Sequence, residues 1–548
     1  MIRLEDLSLD IHGAPILREV SLDIAPGQVT GLVGESGSGK SMTALAIMGL
    51  LPRGSTVSGH AWLEEGDVLA KSEREMCALR GNRVGMIFQE PMTALNPVKT
   101  IGDQVAETLV IHGEASRREA LDVARARLAR VGLPEDRFPL SRYPHELSGG
   151  QRQRVCIAMA VALNPELLIA DEPTTALDVT TQAQILDLLK GLVEEEGMSL
   201  LLITHDLAVV AGMAAHVAVM QEGRIVEQGP TERLFRAMQH PYTRALFAAS
   251  SHQQVRHSTS HQPVRHSTLD RPAGAAQTRP EPLLEVEDVV RTYRTQRVGL
   301  FGRTGTFRAV DGVSLRIDRG ESLGLVGESG CGKSTLTRAI LGLDALQGGR
   351  VRLGGQEIHA GPHLDPGIRR RMQVVFQDPY GSFNPRWKVA HLVAEPFHLM
   401  QPRPSDTRAR VATALADVGL GPEAMDRYIH EFSGGQRQRI AIARALITNP
   451  DMIVLDEAVS ALDVRVRAQI LDLLAGLQAE HGLAYLFISH DLSVVRAITD
   501  RVLVMQAGRI VEQGPTERVF AQPDHPYTRS LLEATPRIPA AWQGGPDA

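Results

Sequence analysis

One ordered set of sequence signals occurs twice in this chain, so it must fold as two copies of one domain. The first copy reads GESGSGKS from Gly34 to Ser41, then Gln89, LSGGQ ending at Gln151, Asp171-Glu172 and His205. The second reads GESGCGKS from Gly327 to Ser334, then Gln377, FSGGQ ending at Gln436, Asp456-Glu457 and His490. Lys40 and Lys333 stand 293 positions apart, Gln89 and Gln377 288, and the signature glutamines, aspartates and histidines 285 each. A register held over three motifs is a tandem duplication.

The 548 residues divide into a first domain over 1–250, a linker over 251–282 and a second domain over 283–548, each half long enough for its own core. The linker carries SHQQVRHST from Ser251 and SHQPVRHST from Ser260 with almost no apolar residues, so it cannot offset its ordering entropy and reads as a flexible coil. Its four histidines read as solvated rather than metal-bound. A coil of this length reaches roughly 30 Å.

No run approaches the roughly 20 apolar residues of a bilayer span. The start, MIRLEDLSLD, has acids where a secretory signal would be basic, which predicts a cytoplasmic chain. The formal net charge of −6 gives no overall pull toward nucleic acid. Cys77, Cys156 and Cys331 form no CxxC pair, against zinc and disulfides alike, and Cys331 lies inside the second glycine loop as a candidate oxidation-sensitive position.

Each half opens with β-rich segments, IRLEDLSLDI and LLEVEDVVRTY, and a second run that ends at the glycine loop. Helical periodicity follows, so each loop lies between a strand and a helix. A stretch after Gln89, with its counterpart after Gln377, predicts a helical insertion in an α/β core. LLIADE and MIVLDE read as strands buried on both faces of a parallel sheet, delivering their acids to the carboxyl edge where ligands of such sheets bind.

A glycine loop entering a helix offers backbone N–H groups and a positive dipole end to phosphates. Gly34, Ser36, Gly37 and Gly39, and Gly327, Ser329, Gly330 and Gly332, are the expected cradles, with Thr335 beside the second. Lys40 and Lys333 add charge at the β/γ-phosphates. Ser41 and Ser334 supply a hydroxyl to Mg²⁺, and Asp171 and Asp456 hold its shell directly or through water. Glu172 and Glu457 are the candidate general bases, a role worth roughly 10²–10⁴ in rate. Each Asp-Glu pair lies 20 residues past its signature glutamine, a repeat that a solvated acidic turn does not explain. His205 and His490 follow LLIT and LFIS and read as γ-phosphate contacts.

These residues resemble the ATP-binding cassette (ABC) ATPases, over both halves almost end to end, and SGGQ is the specific mark. The resemblance implies two tandem phosphate-loop ATPase domains, each a RecA-like α/β core with a β-rich N-terminal subdomain and a helical insertion. It implies a head-to-tail pairing of Gly34–Ser41 with Ser433, Gly434, Gly435 and Gln436, and of Gly327–Ser334 with Ser148, Gly149, Gly150 and Gln151. Gln89 and Gln377 match the loop that reports nucleotide state to membrane subunits and joins the Mg²⁺ shell. Asp178 and Asp463 match the D-loop.

A finer resemblance is to the oligopeptide/dipeptide/nickel importers, through QEPMTALNP and QDPYGSFNP and the closing HPYTRALFAA and HPYTRSLLEA. The fused ATPases of glutathione, microcin C and related peptide importers are similar. Departures are Ala458 after the second Asp-Glu pair, Phe432 in the second signature, and no cysteine cluster for iron–sulfur. In that family an aromatic near the start of each half stacks on adenine. Tyr293 takes that place in the second half, whereas the first offers Ile11 by alignment, with His12 as a substitute.

The expectation is an ATP- and Mg²⁺-dependent subunit on the cytoplasmic face of the inner membrane. It is held there by two transmembrane permease subunits and served by an extracytoplasmic solute-binding protein, and specificity for a peptide, glutathione, an opine or nickel resides in those partners. A ribosome-acting tandem cassette is the rival reading, but its domains are joined by a long charged helical linker. A DNA-repair cassette ATPase is disfavoured by the missing zinc cysteines and the absent basic excess.

Overall fold

The computed structural model describes residues 2–64, 66–175, 177–255 (251–255 by backbone alone), 282–294, 305–361, 365–377, 381–460 and 462–542. Most of the expected linker, with three of its four histidines, lies outside them. The chain forms two compact units. The first comprises Met1–Ser250 with Asp463–Arg465 and Ala534–Ala548, the second Ser251–Leu462 with Val466–Glu533. The closing segment therefore groups with the first unit, and the first unit's last helix, Pro241–Val255, continues past residue 250.

In the first unit Ile2–Ile11 alternates buried Leu4, Leu7 and Leu9 with wetter residues, skipping a step at Asp6. Asp6 has φ 48°, a bulge that shifts the register to Ala14–Ile24. Ser55–Leu63 pairs on the other side, completing a four-stranded antiparallel sheet with Gly66–Asp67. The second unit repeats this with Leu284–Arg294, Thr306–Ile317 and a bulge at Asp288, φ 45°. Each bulge is held alike: Asp6 N–H donates to Ser21 Oγ (3.0 Å) and Asp288 N–H to Ser314 Oγ (2.9 Å).

A six-stranded sheet forms the core of each unit. In the first, His216–Gln221, Val29–Val33, Ser199–Thr204, Leu167–Asp171 and Val84–Ile87 run parallel in that spatial order, with Arg224–Pro230 antiparallel at one edge. Val29–Val33, Leu167–Asp171 and Ser199–Thr204 are buried at every position, the signature of a sheet covered on both faces. Parallel pairing sends their carboxyl ends to one edge, where Gly34, Glu172 and His205 follow them. The second unit matches it with Ser322–Val326, Met452–Asp456 and Ala484–Ile488.

Helices fill the insertion as expected. Thr100 caps Ile101–Ile111 by accepting Asp103 N–H (3.2 Å), and Ile101, Val105 and Leu109, four apart, bury one face. A Ser116–Glu119 capping box opens Arg117–Arg130. In the second unit the counterpart of the first helix is only Val389–Val393, followed by a 3₁₀ turn over Glu395–Leu399. Pro396, which lacks an N–H, stands where the first unit has Thr108.

Candidate functional site

The glycine loops close on helices Lys40–Ile47 and Lys333–Ile340. Gly39 and Gly332 sit at φ 104° and 114°, and a Cβ there would meet Leu17 Cδ2 at 2.6 Å or the Ala309 carbonyl at 2.2 Å, so each must be glycine. Gly34, Ser36 and Gly37, and Gly327, Ser329 and Gly330, complete the loops, and Thr335 lies in the first turn of the second helix. Both lysines are buried and fold back onto their own loops. Lys40 Nζ donates to the carbonyls of Gly34 (2.9 Å) and Glu35 (2.8 Å), Lys333 Nζ to those of Gly327 (2.6 Å) and Glu328 (2.8 Å). Burial pulls the Lys40 amine below its ordinary range, against the raising charges of Glu172 and Asp171. Cys331 is buried, and burial raises its thiol although Lys333 opposes this; thiolate, and hence oxidation, is disfavoured.

Asp171 and Asp456 end their strands beside the loops. Ser41 Oγ donates to Asp171 Oδ1 at 3.1 Å. Burial raises the Asp171 carboxyl, with the Ser41 hydrogen bond opposing and Glu172 assisting. Burial and then the Glu457 charge push Asp456 up to about 6, against Lys333. The first unit thus gathers a hydroxyl and a carboxylate beside the Glu172 charge, and in the second Asp456 stands beside the Glu457 charge with Ser334 exposed in the first turn of its helix. An oxygen-only set of this kind fits a hard cation such as Mg²⁺, which takes few protein ligands and completes its shell from phosphate and water.

Glu172 and Glu457 occupy the left-handed region at φ 48° and 50°. A non-glycine residue there costs of order 1–3 kcal/mol and persists only where its surroundings over-determine it. Those surroundings are the Glu172 N–H to Ile203 carbonyl bond and its Glu457–Ile488 counterpart, 2.9 Å each. The turn lifts both carboxylates off the sheet edge toward the histidines. His205 Nδ1 lies 3.2 Å from Glu172 Oε1, and His490 Nδ1 3.4 Å from Glu457 Oε1. Glu172 Oε2 also accepts from Gln89 Nε2 (3.0 Å) and Thr175 Oγ1 (2.9 Å). Burial alone would raise this carboxyl, but the His205 hydrogen bond and charge, then Thr175 and Lys40, bring it down to about 2. In the second unit Ser460 Oγ turns instead to the Glu457 backbone carbonyl (2.9 Å), and Gln377, like Gln89, is exposed.

The signatures are helix starts. Ser148 Oγ accepts Gln151 N–H (3.3 Å) while Gln151 Oε1 accepts Ser148 N–H (3.0 Å), and Ser433 with Gln436 repeats this at 3.4 and 3.1 Å. Both are capping boxes that leave further N–H groups of Gly149–Ala160 and Gly434–Leu446 open at the helix start. Gly150 and Gly435 let the next helix approach, since a Cβ on either would sit 2.4 Å from Thr181 Cγ2 or Val466 Cγ1. Asp178 caps the Val179–Glu196 helix, accepting Thr181 N–H at 2.9 Å.

Near the strand ends the units differ. The bulges at Asp6 and Asp288 align the opening strands so that Ile11 falls on Tyr293. Tyr293 is 37% exposed, its hydroxyl donating to Asp344 Oδ2 (3.1 Å) and the Arg291 guanidinium lying 4.7 Å from its ring centre. Ile11 is partly buried. The His12 ring lies against Gly54, whose added Cβ would come within 2.4 Å of it, and the residue is otherwise exposed.

Sequence reasoning missed Thr175, whose signal was a hydroxyl three residues past each general-base candidate. It also missed Tyr242 and Tyr527, although their HPYTR motif recurs at the common spacing of 285.

Comparison with known proteins adds the following. The ABC transporter family model matches residues 17–175 and 310–460, and the model for the oligopeptide/dipeptide transporter C-terminal region matches 226–270 and 511–547. The chain is similar to the glutathione import ATP-binding protein GsiA of Escherichia coli (strain K12), 49% identical over 541 residues, covering 95% of this chain and 86% of that protein. It is also similar to the peptidoglycan transport ATP-binding protein YejF of Agrobacterium fabrum, 47% identical over 551 residues, covering 98% and 97%.

Proposed function

Because the chain belongs to the ABC transporter family as one of its ATPases, we propose that it energises the import of peptides or peptide-like small solutes through partner permeases. The reading is carried by one observation: the Asp-Glu turn facing a histidine occurs in both units, and each unit ends in a match to the oligopeptide/dipeptide C-terminal region. Relatives named for glutathione and peptidoglycan transport support a peptide-like solute. Among the described residues no helix is long and apolar enough to cross a membrane. Two transmembrane permease subunits would supply the path, an extracytoplasmic binding protein the solute, and the chain would sit peripherally at the inner membrane.

In each unit the glycine loop and lysine bind the phosphates of ATP, the lysine exchanging its loop carbonyls for phosphate oxygens. Ser41 with Asp171, and Ser334 with Asp456, would hold Mg²⁺, with Gln89 and Gln377 in its shell once they turn inward. Mg²⁺ would neutralise developing charge on the phosphates. Glu172 and Glu457 accept the proton of the attacking water. The three donors on Glu172 keep it ionised and oriented, and each donor that turns away raises its basicity. His205 and His490 hold these carboxylates through Nδ1, and their imidazolium forms can donate from Nε2 to a γ-phosphate oxygen as well.

Uptake of labelled glutathione and of a labelled oligopeptide tests the reading, in cells that lack the chain and are complemented with wild type or with Lys40→Ala/Lys333→Ala. Uptake of one solute restored by wild type alone is expected. Uptake of both that is indifferent to the chain contradicts it.

A further inference from the structure

The HPYTR motif that recurs at 240–244 and 525–529 has no part in the chemistry above, yet it reaches the phosphate loop in both units. It begins with a fixed turn. The Glu227 carboxylate accepts the N–H groups of Gln239 (2.8 Å) and His240 (3.2 Å), and His240 Nδ1 accepts Tyr242 N–H (3.2 Å). The second unit repeats every contact: Glu512 accepts Asp524 (2.8 Å) and His525 (3.1 Å), and His525 Nδ1 accepts Tyr527 N–H (3.2 Å). Pro241 and Pro526 start the helices that follow, where a missing N–H costs nothing.

The turn buries each tyrosine, leaving Tyr242 6% and Tyr527 8% exposed. Their hydroxyl oxygens accept the N–H of Glu35 (3.1 Å) and of Glu328 (3.0 Å), partners about two hundred residues upstream. These N–H groups belong to the peptide planes whose carbonyls, Gly34 and Gly327, accept Lys40 and Lys333. Tyrosine and lysine thus pin opposite edges of one peptide group. When the lysine turns to phosphate, only the tyrosine still holds that plane from its N–H edge.

We propose that Tyr242 and Tyr527 are positioning residues for nucleotide. Each hydroxyl braces the first peptide of its glycine loop, so the N–H groups that follow stay aimed at the phosphates. This gives the closing motif of each unit a role within its own ATP site. It rests on reading the loops as phosphate-binding, so one arm of the test uses no nucleotide.

The experiment compares the full chain with Tyr242→Phe/Tyr527→Phe, which keeps both rings and deletes both hydroxyls. Amide hydrogen exchange without nucleotide should quicken at Glu35 and Glu328. ATP affinity should weaken roughly 2- to 12-fold, the worth of one hydrogen bond, with KM raised and kcat kept, because a rigid loop serves ground and transition states alike. Unchanged exchange at both amides overturns the brace. Faster exchange with wild-type ATP affinity overturns the positioning role, provided the wild-type chain binds ATP. A wild-type chain that binds none refutes the phosphate-loop reading itself. Wild-type affinity in the Phe variant beside a loss in Tyr242→Ala/Tyr527→Ala assigns the effect to ring packing and also overturns the proposal.

Discussion

The two units agree in the backbone geometry around their general-base candidates and differ in side chains proposed to meet the nucleotide. Both general-base candidates stand at φ near 50°, both histidines meet them through Nδ1, and both glycine loops carry the same tyrosine brace. In the first unit Ser41 bonds Asp171, and Gln89 and Thr175 join His205 on the Glu172 carboxylate. Burial raises the strand-end aspartate in both units, and the second presents Tyr293 where the first has Ile11. Turns and sheet edges are shared by many contacts and resist change, whereas a rim side chain can be replaced without disturbing the fold. The pair of units therefore reads as two sites of equal chemical equipment and unequal grip.

The largest expected effect tests the equality. Glu172→Gln with Glu457→Gln should lower phosphate release by roughly 10²–10⁴ while ATP still binds, and each single change should leave the other site working. Near wild-type release by the double variant would show that the bases are elsewhere.

The inequality comes next. Base–aromatic stacking is worth about 1–3 kcal/mol in single-stranded nucleic-acid complexes, by analogy roughly 5- to 150-fold in affinity. Tyr293→Ala should weaken the second site by that factor and Ile11→Tyr should tighten the first. Unchanged affinity in both removes adenine stacking from the account.

The smallest effect sharpens the contrast around the general-base candidates. Thr175 Oγ1 donates to the Glu172 carboxylate, whereas Ser460 Oγ donates to the Glu457 backbone carbonyl. Thr175→Val should change kcat by roughly 2- to 12-fold, the scale of one hydrogen bond, and Ser460→Ala by less. Equal effects at both positions would mean that the difference between the hydroxyls carries no chemical weight.

Much of this was legible in the sequence because strands and glycine loops write themselves locally. LLIAD reads as a doubly buried strand from its unbroken apolar run, and Ile11 is matched to Tyr293 by counting, as the bulges at Asp6 and Asp288 bear out. The glutamate φ angles were not legible, because a left-handed turn at a non-glycine residue is imposed by the neighbouring strand. Nor was the setting of His12, an exposed residue whose imidazole lies against Gly54 on the neighbouring strand's approach. The tyrosine brace joins residues about two hundred positions apart, and only its repetition hinted at it. The shortened helix of the second unit was not anticipated either, although Pro396, which has no N–H to offer, accounts for it.

The most direct test of two equally equipped but unequally gripping sites is an equilibrium ATP titration of the Glu172→Gln/Glu457→Gln chain, with and without Tyr293→Ala. The account predicts two ATP per chain in two affinity classes, with Tyr293→Ala weakening the tighter class alone. A single class that Tyr293→Ala leaves untouched, or one ATP per chain, would contradict it.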